Sequence, residues 1–209
     1  MMNLAEYRRT ASRLADYLPW AALVGDGIVL NKDGSFQRTA RFRGPDLDSA
    51  VAAELVAIAG RLNNAFRRLS SGWAIFVEAQ RSEAATYPES RFPDPASALV
   101  DAERKADFEQ EGSHFVSGYY LTFLWLPPAE DAARSESWLY EGRETSGVNP
   151  WELARGFADR TDRVLALLDG FMPECRWLDD AGTLTYLHST VSTNRHRVRV
   201  PEVPMHLDA

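Results

Sequence analysis

Ile28-Val29-Leu30-Asn31-Lys32-Asp33-Gly34-Ser35-Phe36-Gln37-Arg38-Thr39-Ala40-Arg41-Phe42-Arg43 is the run whose reading decides the fold. Ile28 to Leu30 is a short apolar segment of β-branched and aliphatic residues. In the second half, Phe36, Arg38, Ala40 and Phe42 alternate with Gln37, Thr39, Arg41 and Arg43. Side chains of a strand point to opposite faces with a period of two, so this half reads as a strand with one face half apolar and the other polar. Asn31-Lys32-Asp33-Gly34 between the halves is a hairpin turn, with Gly34 free to take positive φ. A sheet therefore begins here with an antiparallel pair.

Working outward, Gly44-Pro45-Asp46 ends the strand, and a long helix follows that Asp46 or Asp48 can cap. Leu47, Val51, Leu55, Ile58, Leu62, Phe66 and Leu69 step by three or four residues, which is one face of a helix. Ser70-Ser71-Gly72 closes it, and Trp73 to Val77 reads as a buried strand. A Pro-rich connector, Tyr87 to Pro95, leads to a charged helix over about Ala96 to Glu111, ended by Gly112. Phe115 to Leu126 is apolar on both faces and rich in aromatics, the pattern of a strand covered on both sides. Residues 129–148 are polar and weakly patterned and read as a mobile loop. Asn149-Pro150 starts a helix whose buried stripe is Leu153, Phe157, Val164, Leu168 and Phe171. Cys175-Arg176-Trp177 is a short strand, and Asp180 caps a last helix with Leu184, Leu187 and Val191 on one side.

Towards the amino terminus, Leu4, Tyr7, Ala11, Leu14 and Leu18 recur at helical spacing among Arg8, Arg9 and Arg13. Pro19 ends that helix. A basic amphipathic helix can lie on a membrane, but packing against its own domain is the preferred reading. The order is α-ββ-α-β-α-β-α-β-α. It predicts an α/β (α+β) fold: a ferredoxin-like antiparallel or mixed sheet with helices packed mainly on one face. The domain is expected over residues 1–194, followed by an extended tail over 195–209.

The 209 residues suit one large domain or two small lobes, and 45% hydrophobic with 25% charged residues is ordinary for a folded globule. Net charge is −7, and nonspecific nucleic-acid binding draws most of its affinity from a basic surface, so nucleic acid is disfavoured as the main partner. Cys175 is the only cysteine, which rules out an internal disulfide and a cysteine-based zinc site within one chain. No uncharged apolar run approaches the roughly 20 residues of a membrane helix.

Signals for catalysis are weak. A phosphate-binding loop needs a lysine after glycine in a Gly-rich turn, and the only lysines, Lys32 and Lys105, do not follow glycine. Gly25-Asp26-Gly27 reads as a turn opening a strand. His114, His188, His196 and His206 show no metal-ligand spacing, and His188 reads as a packed or hydrogen-bonded side chain. Cys175 reads as a small buried hydrophobe. The carboxylates at Glu109-Gln110-Glu111, Glu130-Asp131 and Asp179-Asp180 are adjacent in sequence, not convergent across a cleft, so caps and solvated surface are expected. Catalytic, cofactor and metal sites are therefore all read as absent. Arg195, Arg197 and Arg199 alternate, so an extended tail would present them on one side to phosphate, an acidic partner or water, with a solvated strip or partner contact as the preferred reading. The second functional reading is a single-stranded nucleic-acid-binding module using Trp73, Phe76 and the aromatics from Tyr119 to Trp125 beside those arginines.

Several runs in order carry a resemblance: Leu30 to Thr39, Phe42 to Asp48, Arg61-Leu62-Asn63-Asn64, Ser71-Gly72-Trp73-Ala74, Tyr87-Pro88-Glu89-Ser90, Tyr119-Tyr120-Leu121-Thr122 and Leu187-His188-Ser189. Together they resemble the amino-terminal region of the TrbE/CagE/VirB family of type IV secretion ATPases. The resemblance implies a role in pilus biogenesis and conjugal DNA transfer. It also implies a place on the cytoplasmic face of the bacterial inner membrane and assembly into oligomers. ATP and Mg belong to a carboxy-terminal motor domain in that family. The resemblance thus implies that this chain is a truncated or fragmentary piece, without cofactor, that docks onto inner-membrane subunits, including a small TrbD-like membrane protein.

Overall fold

The computed structural model describes residues 13–84, 87–109, 114–128, 150–194, 196–202 and 207. Its strands are β1 (Trp20–Gly25), β2 (Ile28–Asn31), β3 (Phe36–Arg43), β4 (Trp73–Glu83), β5 (Phe115–Trp125) and β6 (Glu174–Trp177). Its helices are α1 (Leu14–Tyr17), α2 (Ala52–Phe66), α3 (Pro95–Phe108), α4 (Pro150–Asp169) and α5 (Asp180–Val191). All six strands form one sheet in the order β1-β2-β3-β5-β4, with β6 also paired to β3, and every pairing is antiparallel. Apart from α3, which is inserted between β4 and β5, the stretch β3-α2-β4-β5-α4-β6 has βαββαβ order with spatial order β6-β3-β5-β4. That is the ferredoxin-like arrangement, and β1-β2 is an added hairpin. One edge of β3 is shared: β2 takes Phe36 to Arg38, and β6 takes Ala40 to Arg43.

The alternation read in β3 sorts the core. Phe36 and Ala40 face α2 and α4 together with Leu121, Phe123, Trp125, Phe157, Val164 and Leu168. Phe157 is fully buried and stacks against Phe36, Trp73 and Trp125 at centroid distances of 5.9, 5.6 and 6.4 Å. Burying each such ring stabilises the fold by roughly 1.5–3 kcal/mol, so this stack is what fixes α4 to the sheet. Arg38 shares that face. Its guanidinium pairs with Asp162 of α4 at 2.7 Å and lies 4.2 Å from the Trp177 ring, which satisfies a charge that the strand pattern places among apolar neighbours. The opposite face is covered in part by α5, where Leu184, Tyr186 and Leu187 pack on Trp20, Leu23 and Val29. The main helices thus share one face, and α5 is added on the other.

Several local expectations change. Trp20 to Val24 is a continuous apolar run that periodicity alone does not assign, yet it forms β1. Asp26 and Gly27 therefore turn between β1 and β2, and Gly25 ends β1 as well as preceding β2. Gly27 has φ 64°, and its N–H donates to the Asp180 carboxylate at 2.7 Å, tying the hairpin to α5. Neither Asp46 nor Asp48 caps α2. Asp46 accepts from the Asp48 N–H in a local turn, and the Glu54 carboxylate accepts from the Val51 N–H where the helix begins. Asp179, not Asp180, caps α5 by accepting from the Gly182 N–H at 2.6 Å. β4 is longer than expected and lies at the sheet edge, so Phe76 and Val77 are exposed rather than buried. Only the second half of β5 is buried. The expected helix over residues 4–18 falls mostly outside the described residues, as do the loop at 129–148 and the cap Asn149. The described part of that helix is the single turn α1.

Candidate functional site

The cleft with the most chemistry lies on the face of the sheet that carries α5. It has a volume of about 530 Å³. β3 supplies Arg41, β5 supplies Tyr120 and β6 supplies Arg176. The α5 segment contributes His188 and Ser189, and the chain after α5 contributes His196 and Arg197.

Its electrostatics follow from strand register. Arg41 and Arg176 are directly opposite each other across the β3–β6 ladder. Like charges in that position destabilise a sheet. Glu174, two residues before Arg176, offsets this: its carboxylate lies 3.0 Å from the Arg176 Nε and 3.9 Å from the Arg41 Nε. One carboxylate thus serves two guanidinium groups, and both arginines keep about half or more of their side chains exposed, at 47% and 69%. Arg197 adds a third guanidinium and makes no salt bridge among the described residues. Planar forks of N–H donors placed side by side suit carboxylate and phosphate oxygens.

The polar floor is held rigidly. Tyr186 donates to the Glu78 carboxylate at 2.8 Å, and its ring lies 4.6 Å from Tyr120. Burial, helped by Glu78, pushes the Tyr186 hydroxyl up to about 12, so it stays a donor at neutral pH. The Gln80 amide donates to the Ser189 hydroxyl at 2.9 Å, which ties β4 to α5. His188 and His196 meet edge to face at 4.5 Å, and the His188 Nδ1 is buried with no hydrogen-bond partner among the described residues.

The residues that stand out in the sequence fare unevenly. Arg195 lies outside the described residues. Arg197 lines the cleft, and Arg199 is exposed outside it. Val198 between them packs against the α5 core, and its N–H donates to the Thr185 hydroxyl at 3.0 Å. The chain after α5 thus runs back over that helix, and alternation turns its arginines outward. Arg41, Arg176 and the paired histidines do not stand out as a site in the sequence. The polar face of β3 is the only signal for Arg41, and no local pattern places it opposite Arg176. The aromatic set offered for base stacking is dispersed. Trp73, Phe123 and Trp125 sit under α2 and α4, while Phe76 and Tyr119 are exposed on opposite faces of the sheet.

No constellation for turnover accompanies the cleft among the described residues. Burial, with Asp169 adding to it, pushes the Cys175 thiol up to about 11, which makes it a poor nucleophile. Among the described residues no group of three or more His, Cys, Asp or Glu is placed to hold a metal ion. Nor is any of the described helices long and apolar enough to cross a membrane.

Comparison with known proteins adds a lineage to this geometry. Residues 27–133, just over half of the chain, match the family described as type IV secretion system ATPase VirB4/TrbE, N-terminal domain. A conjugal transfer protein TrbE of Rhizobium radiobacter is 32% identical over 225 residues, covering 100% of this chain and 27% of the relative. A protein of Sinorhizobium fredii (strain NBRC 101917 / NGR234), described as the first portion of a probable conjugal transfer protein TrbE, is 39% identical over 130 residues. That match covers 61% of this chain and 87% of the relative. The chain spans about a quarter of the length of the first relative, and the matching family is that of an amino-terminal domain.

Proposed function

Since this chain belongs to the VirB4/TrbE amino-terminal-domain family of type IV secretion system ATPases, we propose that it is a docking and assembly domain that contacts inner-membrane components and does not itself turn over nucleotide. One observation carries the reading: the two lysines, Lys32 and Lys105, both lack a preceding glycine, so neither is placed as the lysine of a Walker-type phosphate loop. Lys32 instead sits in the β2–β3 turn, where its Nζ donates to the Ala15 carbonyl at 2.8 Å. What the fold offers is contact surface: the cleft with Arg41, Arg176 and Arg197, and the long exposed edge of β4.

In this reading the domain sits on the cytoplasmic face of the inner membrane. It is held there by a membrane subunit such as a small TrbD-like protein, and ATP and Mg act in a separate motor domain. The test is co-sedimentation of the purified chain with proteoliposomes that contain the small membrane subunit. Saturable recruitment above that of empty vesicles of the same lipid is expected. Equal recruitment by both vesicle types, or by neither, would remove the docking role.

Single-stranded nucleic acid has weaker support. The aromatic side chains required for stacking are largely interior, and the chain carries net charge −7.

A further inference from the structure

We propose that the cleft formed by β3, β6, α5 and the chain after α5 binds a short acidic peptide segment of a protein partner, its carboxylates seated on Arg41, Arg176 and Arg197. This rests on the docking reading and gives it a chemistry. Three observations converge. Register places Arg41 and Arg176 side by side, with one carboxylate, Glu174, between the two guanidinium groups. Arg197 arrives from a separate segment held down by Val198, so the third guanidinium is placed by packing rather than by chance on a free tail. In a chain of net charge −7, the cleft gathers three arginines against one lining carboxylate, Asp179, with Glu174 beside them.

The choice of peptide over polynucleotide follows from the same residues. Tyr120 and Tyr186 lie against each other, and Trp177 is engaged by Arg38 and by Asp162, which accepts from its Nε1–H at 2.7 Å. These rings are therefore not free faces for bases. Glu174 and Asp179 lie beside the arginines and disfavour a uniformly charged chain that extends past the cleft, as a phosphate backbone does. A segment of a few residues fits a volume of about 530 Å³, whose lining holds three arginines and one carboxylate, Asp179.

A second arginine recess provides an internal control. Arg68, Arg160 and Arg163 line a smaller hollow of about 310 Å³ at the other side of the sheet, beside Trp73. If arginine content alone attracted acidic peptide, this hollow would serve as well.

The experiment is fluorescence anisotropy of an end-blocked, labelled Glu/Asp hexapeptide with the full chain. The matching Gln/Asn hexapeptide, inorganic phosphate and a short thymidine oligonucleotide act as competitors. Arg41→Gln and Arg176→Gln are each expected to weaken binding about tenfold, the size of one lost charge-assisted hydrogen bond. The pair Arg160→Gln and Arg163→Gln is expected to change binding by less than about twofold, the effect of rim charges remote from a contact. Glu174→Gln is expected to tighten binding, a gain that misfolding cannot produce. Absence of peptide binding, an equal loss in the Arg160/Arg163 variant, no gain in Glu174→Gln, or stronger competition by phosphate or oligonucleotide would each overturn the assignment. The two proposals fail separately. Membrane-subunit recruitment that survives Arg41→Gln with Arg176→Gln sinks the cleft and keeps docking. Peptide binding without recruitment does the reverse.

Discussion

Truncating Phe157 to alanine tests the packing on which the whole arrangement stands. Phe157 is 0% exposed, and its ring meets three others: Phe36, Trp73 and Trp125, at interplanar angles of 29°, 17° and 9°. Phe to Ala in a core costs about 3–5 kcal/mol through lost transfer energy and the cavity left behind. Aromatic pairs add about 0.5–1.5 kcal/mol each beyond burial, so three contacts place this site in the upper half of that range, at about 4 kcal/mol. In a domain of this size 1 kcal/mol moves the melting temperature by about 2–4 °C, which gives a drop of about 8–16 °C. Thermal unfolding followed by near-ultraviolet circular dichroism reads this directly, because the stacked tryptophans report on their own packing. Phe157→Leu should recover part of the loss, since it refills volume without restoring the stack. Phe76→Ala, on the exposed edge strand at 55% exposure, should stay within about 0.5 kcal/mol of the parent. A Phe157→Ala loss below about 1 kcal/mol, or a Phe76→Ala loss as large as that of Phe157→Ala, would refute the claim that α4 is anchored by this stack.

Other outcomes follow from single residues. Gly27→Ala drives a Cβ into the Leu178 carbonyl oxygen at φ 64°, and it should cost more than about 2 kcal/mol in urea unfolding. Gly60→Ala in α2 meets nothing within 4 Å and should instead stabilise by about 0.5–1 kcal/mol. Cys175 and Tyr186 both hold their protons to higher pH folded, at about 11 and about 12, than their ordinary values of 9.0 and 10.0. The folded state therefore binds more protons above pH 9, and stability should fall as pH rises from 9 towards 12. Denaturant titrations across that range should show Cys175→Ala with Tyr186→Phe losing less stability with rising pH than the parent. A flat or rising stability in the parent would contradict the burial of both groups. Native Cys175 should also resist a thiol reagent at pH 8 and react fully once the chain is unfolded.

Which features of this fold were legible in sequence depends on whether the deciding interaction is local. The alternation from Phe36 to Arg43 exposed the two faces of β3 directly, because a period of two is a property of the strand alone. The helix stripe through Phe157 and Leu168 was equally local. The position of β4 at the sheet edge was not, since Trp73 to Val77 looks the same whether its outer side meets a strand or water. Trp20 to Val24 was ambiguous for a related reason: five apolar residues fit a covered strand or a helix. The cleft shows the same division. Arg197 stood out by alternation within its own segment. Arg41 and Arg176 become a pair only through the β3–β6 register, which no nearby residue encodes. Arg38 falls on the half-apolar face of β3, and its partner Asp162 lies 124 residues away, beyond any local pattern.

The central proposal is that this domain makes contacts and does not itself turn over nucleotide. Steady-state ATP hydrolysis by the purified chain with Mg present tests it most directly. The account predicts phosphate release indistinguishable from buffer, and sustained release that rises in proportion to protein concentration would contradict it.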